Sequence, residues 1–369
     1  MSKYDRFNTK NFLKEKIFTG TENASVSKGE TSFIKEVLEK SSFKGEIKEL
    51  ISSISLIDSN FEYDSYSFRN EEKLYVLKIN EDDPDNILER EFKNLSILEK
   101  KPVSPLPVFF EKVNYSGSEI NILVVTLERS LSLFDISERE FFTLFEPLAM
   151  NFSFLHEFTQ DKRENEVDTF IENLLADNDF EEIIPKEVLQ KYSTKIPNYP
   201  KYKELLSILK EEIKQETEAL EQSNFCLCHT NLTKSRILVK DRFFKFINFQ
   251  YSYFLDPFFD VALLVLSTGI CKTEGWEKEF LGRYLKHHRK LDITIEKAEE
   301  KLNKFKNVCY KIVLLRLSSE MIYEFSTHGN NRANRILKII KRYEYIRPLV
   351  NERIPQYVST IDDFFYLFK

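Results

Sequence analysis

The chain has 369 residues, 42% of them apolar and 31% charged, with a net charge of −6. That length suits two domains or one two-lobed unit, and the ordinary apolar share excludes collagen-like and low-complexity architectures. The acidic balance argues against a broad nucleic-acid footprint, and no apolar run approaches the roughly 20 residues a membrane helix needs. The start, MSKYDRFNTKNFLKEK, lacks the apolar core of a secretory signal. Four cysteines, Cys226, Cys228, Cys271 and Cys309, are too sparse for a disulfide framework and point to a reducing, cytoplasmic setting. With only 8 glycines, few phosphate-cradling loops can exist, because backbone must approach a phosphate closely there.

Residues 1–30 read as a polar extension, either mobile or docked. Short amphipathic helices are expected at Thr31–Glu39, with Phe33, Val37 and Leu38 on one face, and at Gly45–Ser55. Phe61–Phe68 alternates as a strand and Leu74–Ile79 is a second one. Asp83-Pro84 reads as an N-cap with proline at the first helical position, opening a helix over Pro84–Lys100. Val108–Asn114 and Ile120–Leu127 flank Tyr115-Ser116-Gly117-Ser118-Glu119, a hairpin signal. From Glu128 onward the pattern turns helical: Glu138–Phe158, with a kink expected at Pro147, then Asn165–Asp177, Lys186–Tyr192 and Lys201–Gln222. A strand pair, Arg236–Val239 and Phe243–Phe249, interrupts the helices. They resume at Pro257–Thr268 and continue through Trp276–Leu285, Ile293–Lys306, Asn307–Ser326 and Asn331–Asn351.

The stretch Phe225–Val261 carries an ordered set of motifs. His229 opens an H-x-D-x-x-x-x-N-like loop, Ile237-Leu238-Val239 and Phe244-Lys245-Phe246-Ile247 form a hairpin, and Asp256-Pro257-Phe258-Phe259-Asp260 starts a helix. Upstream stand Val76-Leu77-Lys78-Ile79, Leu88-Glu89-Arg90-Glu91, Leu127-Glu128 and Leu155-His156-Glu157-Phe158. In order and spacing, from about Lys73 to Val261, this resembles the aminoglycoside phosphotransferase and choline-kinase-like family.

The resemblance implies an α+β, protein-kinase-like two-lobed fold: a small antiparallel β lobe with one helix over 31–127, and a large, mostly helical lobe over 128–369. It also implies a phosphate-binding Lys78 with Glu91 as its partner, a hinge at Glu128, and a catalytic loop around His229. The departures bear on function. Asn231 stands where the family has its catalytic Asp, Arg236 where it has a metal-binding Asn, and Asn248 where it has a metal-binding Asp. The segment Ser59–Ser65 lacks the glycine of the usual nucleotide loop. Phosphoryl transfer needs positioned phosphates, metal charge and a group to orient or deprotonate the acceptor. An amide is no useful base, and a guanidinium has no lone pair for Mg²⁺.

The expectation is therefore a pseudokinase that acts by binding, as a scaffold, a regulator or a subunit of an assembly with an unidentified protein partner. No metal or other cofactor is expected, and weak, metal-independent ATP binding is left open. The alternative is an active phosphotransferase moving the ATP γ-phosphate to a small hydroxylated molecule. Lys78 and Glu91 read equally as phosphate machinery or as an interlobe ion pair. Lys234 and Arg236 read as an anion site, or as an ion pair sealing the cleft, for instance with Glu91. Asp256 reads as a helix cap, Cys226 and Cys228 as buried thiols, and His287-His288 as part of a solvated basic helix end.

Overall fold

The computed structural model describes residues 24–25, 28–43, 51–59, 64–70, 73–81, 86–127, 130–157, 166–178, 194, 198–220, 225–326 and 332–366. In chain order the strands and helices begin β1 (Ala24–Ser25), α1 (Lys28–Lys40), β2 (Ser55–Ser59), β3 (Asp64–Asn70), β4 (Lys73–Glu81), α2 (Ile87–Leu98), β5 (Leu106–Tyr115) and β6 (Ser118–Leu127). Then come β7 (Leu131–Ser132), α3 (Glu138–Thr143), α4 (Phe145–Leu155), α5 (Val167–Asp177), α6 (Tyr199–Glu218), β8 (Cys226–Cys228), β9 (Ile237–Lys240) and β10 (Phe243–Phe246). The chain continues with β11 (Tyr253–Leu255), α7 (Pro257–Thr268), α8 (Trp276–His287), α9 (Ile295–Ser326), α10 (Arg332–Arg353) and α11 (Val358–Phe365).

By packing the chain divides into two compact units, and neither is one continuous run. One comprises Leu13–Phe158 with Lys234–Ser252; the other includes Thr159–Thr233 and Tyr253–Lys369.

The first unit is built on a six-stranded antiparallel sheet of order β1-β2-β3-β4-β6-β5. Because side chains alternate across a strand, Leu77 and Ile79 of β4 face one side while Val76, Lys78 and Asn80 face the other. Ile34, Val37 and Leu38 of α1 close the first side against Tyr66, Phe68, Leu77, Ile79, Ile120, Ile122 and Val124. Helix α1 is pinned at its rim, where the Tyr115 hydroxyl donates to Glu36 (2.7 Å) and Phe33 meets the Tyr115 ring edge-on. This helix takes in Lys28, Gly29 and Glu30, the last residues of the expected extension; apart from β1, the rest of that extension lies outside the described residues.

Several expectations shift in detail. Residues 51–53 are helical, but Ser55 already begins β2, a strand the sequence pattern had not announced. Asp83, Pro84 and Asp85 lie outside the described residues, as does Lys186–Tyr192. Helix α2 begins at Ile87 behind Asn86, which is left-handed (φ 50°) and makes no side-chain cap; its Oδ1 accepts from Lys112 Nζ instead (2.6 Å). The expected kink at Pro147 is a full break. Proline lacks an N–H and its ring collides with the carbonyl four residues back, here Thr143. So α3 ends at Thr143, and α4 restarts at Phe145 with Pro147 in its first turn. Conversely, α9 is one helix of 32 residues where two were expected.

The same unit holds a three-stranded sheet, β10-β9-β7, whose Phe246 ring packs against Phe152 of α4. Asp241 and Arg242 both adopt positive φ in the two-residue β9–β10 turn, matching the right-handed twist of the hairpin. In the second unit, β8 pairs antiparallel with β11, and α7 follows. All twelve residues of α7 are buried, and it packs against α9 and α10.

Candidate active site

The expected site residues fall in both units, and each group is described within its own unit. In the sheet unit, Lys78 points off the centre of β4 and Glu91 sits on the buried face of α2. They are 4% and 2% exposed. Lys78 Nζ donates to both Glu91 oxygens, at 2.8 and 2.7 Å. The pair joins a strand and a helix of one unit and is therefore not an interlobe bridge. Nζ donates a third bond, of 3.1 Å, to Asn248 Oδ1.

Asn248 stands just past β10 in a left-handed conformation (φ 70°, ψ 64°), which asparagine tolerates better than most residues. Its backbone is fixed from both sides. The Ile247 N–H donates to the Arg236 carbonyl (3.0 Å), and Asn94 of α2 donates to the Phe249 carbonyl (2.9 Å). Asn248 thus lies in a turn with its amide on an ammonium, and is not part of an apolar strand. The strand ends at Phe246 because the left-handed residue breaks the ladder.

Arg236 closes a short 3₁₀ turn, Lys234–Arg236, before β9. Glu91 has no partner other than Lys78 among the described residues, so neither Arg236 nor Lys234 seals against it. The Lys234 ammonium instead lies 4.9 Å from the centre of the Phe141 ring, a cation–π contact. Glu128, the expected hinge residue, lies outside the described residues.

In the helical unit the loop after β8 is held by groups the sequence reading had not assigned. Thr230 has φ 58°, a conformation costing a β-branched residue roughly 1–2 kcal/mol. The buried Asp260 carboxylate offsets this by accepting the His229 N–H (2.5 Å) and the Thr230 N–H (2.7 Å). Arg316 of α9 donates to the Thr230 carbonyl (2.5 Å). His229 is fully buried, and its Nδ1 accepts from the Asn231 N–H (3.3 Å), so that nitrogen carries no proton. The spacing of Asp256 and Asp260 could have revealed this clamp; Arg316, far along the chain, left no such signal.

Asp256 caps α7, accepting from the Phe258 N–H (3.0 Å), and pairs with Lys301 (2.7 Å). Cys226 and Cys228 are fully buried with sulfurs 3.8 Å apart, and burial pushes both thiols up, Cys228 furthest. His288 departs from expectation. It is 3% exposed and packed on the Tyr284 ring, not solvated, because α8 turns that side inward.

No protein-family profile matches this sequence, and no curated protein matches it. Solved structures do. The amicoumacin kinase hAmiN, determined with AMP-PNP, Ca²⁺ and Ami, aligns with a TM-score of 0.55 at 16% identity, over 84% of this chain and 95% of its own. Spectinomycin phosphotransferase APH(9)-Ia aligns at 0.48 and 10% identity, over 84% of this chain and 93% of its own. Choline kinase LicA from Streptococcus pneumoniae aligns at 0.48 and 16%, over 84% and 97%. Together with the antiparallel sheet, its buried lysine–glutamate pair and the helical unit, the alignment with hAmiN shows that the chain has the protein-kinase-like fold of the aminoglycoside phosphotransferase and choline kinase type.

Proposed function

We propose that this chain is a kinase-fold protein that works by binding and does not transfer phosphate. The observation that carries this reading is the fate of Asn248. Its one amide oxygen, at the position where the family resemblance implies a metal-binding carboxylate, accepts from the Lys78 ammonium. Mg²⁺ prefers several hard, usually anionic oxygens and gives up its waters reluctantly; Asn248 offers one neutral oxygen that already faces an ammonium, and Arg236 has no lone pair to offer. Asn231 cannot take up an acceptor's proton, a loss typically worth about 10²–10⁴-fold in rate.

In this unit an amide stands at 248 where the family resemblance implies a carboxylate, and the cations Lys78, Lys234 and Arg236 remain. That combination suits a phosphorylated small molecule held weakly, without a divalent ion. The protein's role would then rest on contacts with a partner protein or a larger assembly.

A second reading, a phosphotransferase acting on a small hydroxylated molecule, is favoured by two observations. The solved structure hAmiN is named as an amicoumacin kinase, and the Lys78–Glu91 pair is fully formed. One experiment separates the two: purified protein incubated with ATP and Mg²⁺, alone and with amino-sugar, choline-like and polyol acceptors. No turnover above that of Lys78→Met/Glu91→Leu is expected. Turnover that survives repeated purification and vanishes in that double variant would establish the second reading.

A further inference from the structure

The Lys78 ammonium has three hydrogens, and among the described residues its acceptors include three side-chain oxygens. Two are the Glu91 oxygens at 2.8 and 2.7 Å, short bonds to a carboxylate that is itself 2% exposed. The third is Asn248 Oδ1, at 3.1 Å the longest of the set, from a neutral amide on a residue only half buried. All three bonds have a charged donor, but only the two to Glu91 add the attraction of an opposite charge and both are shorter, so the Asn248 bond is the exchangeable one. We propose that Asn248 is an internal ligand of Lys78, and that a polyphosphate anion enters this site only by displacing the Asn248 amide, with no divalent cation required. This rests on the reading above that the unit binds phosphorylated molecules without metal.

The geometry makes the exchange cheap. The backbone around Asn248 is held on one side by the Arg236 carbonyl and on the other by Asn94. Displacement is therefore a side-chain rotation, with no movement of the turn. A phosphate oxygen replaces a neutral acceptor with a charged one, which is the gain. The cost is that Glu91 already balances the Lys78 charge, so the incoming anion meets a neutral pair with Arg236 on the adjoining strand end. Weak binding follows.

The test is calorimetric titration of the full-length protein with pyrophosphate, and separately with ATP, in EDTA and in Mg²⁺. The variants are Asn248→Gly, which keeps the left-handed backbone and deletes the amide, and Asn248→Asp, which puts a stronger competitor on Lys78. Binding should tighten about tenfold or more in Asn248→Gly, the range expected on removing a hydrogen bond to a charged group. It should weaken by about tenfold in Asn248→Asp, be no tighter in Mg²⁺ than in EDTA for the wild type, and vanish in Lys78→Met. If Lys78→Met fails to melt cooperatively, Lys78→Met/Glu91→Leu serves in its place. A wild type that binds pyrophosphate as tightly as Asn248→Gly would overturn the internal-ligand proposal alone. Binding that appears only with Mg²⁺, or in no variant, would overturn it together with the metal-free reading beneath it.

Discussion

Removing the Lys78 ammonium should destabilise the sheet unit sharply, and removing Glu91 as well should restore it. In Lys78→Met the Glu91 carboxylate, 2% exposed and bonded to nothing else among the described residues, is left buried without a counter-charge. Breaking a buried ion pair from one side costs about 3–5 kcal/mol, whereas replacing both partners with apolar groups of similar volume is often neutral or stabilising. At about 2–4 °C per kcal/mol for a unit of this size, Lys78→Met should lower the melting temperature by about 6–20 °C. Lys78→Met/Glu91→Leu should melt within a few degrees of the wild type. The coupling energy from this double-mutant cycle should exceed about 2 kcal/mol. Thermal and urea unfolding, both followed by circular dichroism, give the melting temperature and the coupling energy; fluorescence of the single tryptophan, Trp276, reports on the helical unit. Two results would refute the reasoning. A loss below about 1 kcal/mol in Lys78→Met would mean that Glu91 reaches water once its partner is gone. A double variant as unstable as the sum of the singles would mean that packing, not charge, links β4 to α2.

Asp260→Asn should cost about 2–4 kcal/mol, because the buried carboxylate accepts two backbone N–H groups and an amide can satisfy only one of them; hydrogen exchange at His229 and Thr230 should accelerate alongside the loss. Gly269→Ala should cost about 2 kcal/mol or more, since the residue has φ 81° and an added Cβ would meet the Tyr345 ring at 3.0 Å. Gly275→Ala, with φ 79° but open space around it, should lose only the backbone share of about 1 kcal/mol. Both are read from thermal melts. Alkaline pH should unfold the helical unit. Burial pushes the phenols of Tyr202 and Tyr284 and the thiols of Cys226, Cys228 and Cys309 upward. Raised folded values stabilise the native state fully below the unfolded values, near 9 for thiols and 10 for phenols, and that stability is lost as pH rises past them. Below that window a thiol reagent should spare those three cysteines and label Cys271 only slowly, its thiol being pushed up to about 11, chiefly by burial.

The motifs of Phe225–Val261 and the hydrophobic alternation from Phe61 to Leu127 were enough to anticipate the fold, because both depend on short-range order. A strand alternates every second residue whatever it packs on, and Asp256-Pro257 starts a helix by local chemistry alone, as α7 bears out. That Asn231, Arg236 and Asn248 stand at those positions was equally plain, being identities and not geometry. What those residues touch was decided by the tertiary structure. Asn248 stands 170 residues from Lys78 in the chain, and no periodicity could place its amide on that ammonium or free Glu91 from Arg236. Pro147 announced a disturbance, but whether a helix bends or breaks there depends on how the flanking turns pack. Nothing local in the sequence marks Thr230 as left-handed. Its left-handed backbone persists because Asp260 and Arg316, 30 and 86 residues away, grip its N–H and its carbonyl. Local preference belongs to the sequence; strain, saturation of a charge and the partner of a buried ion exist only once distant segments are brought together.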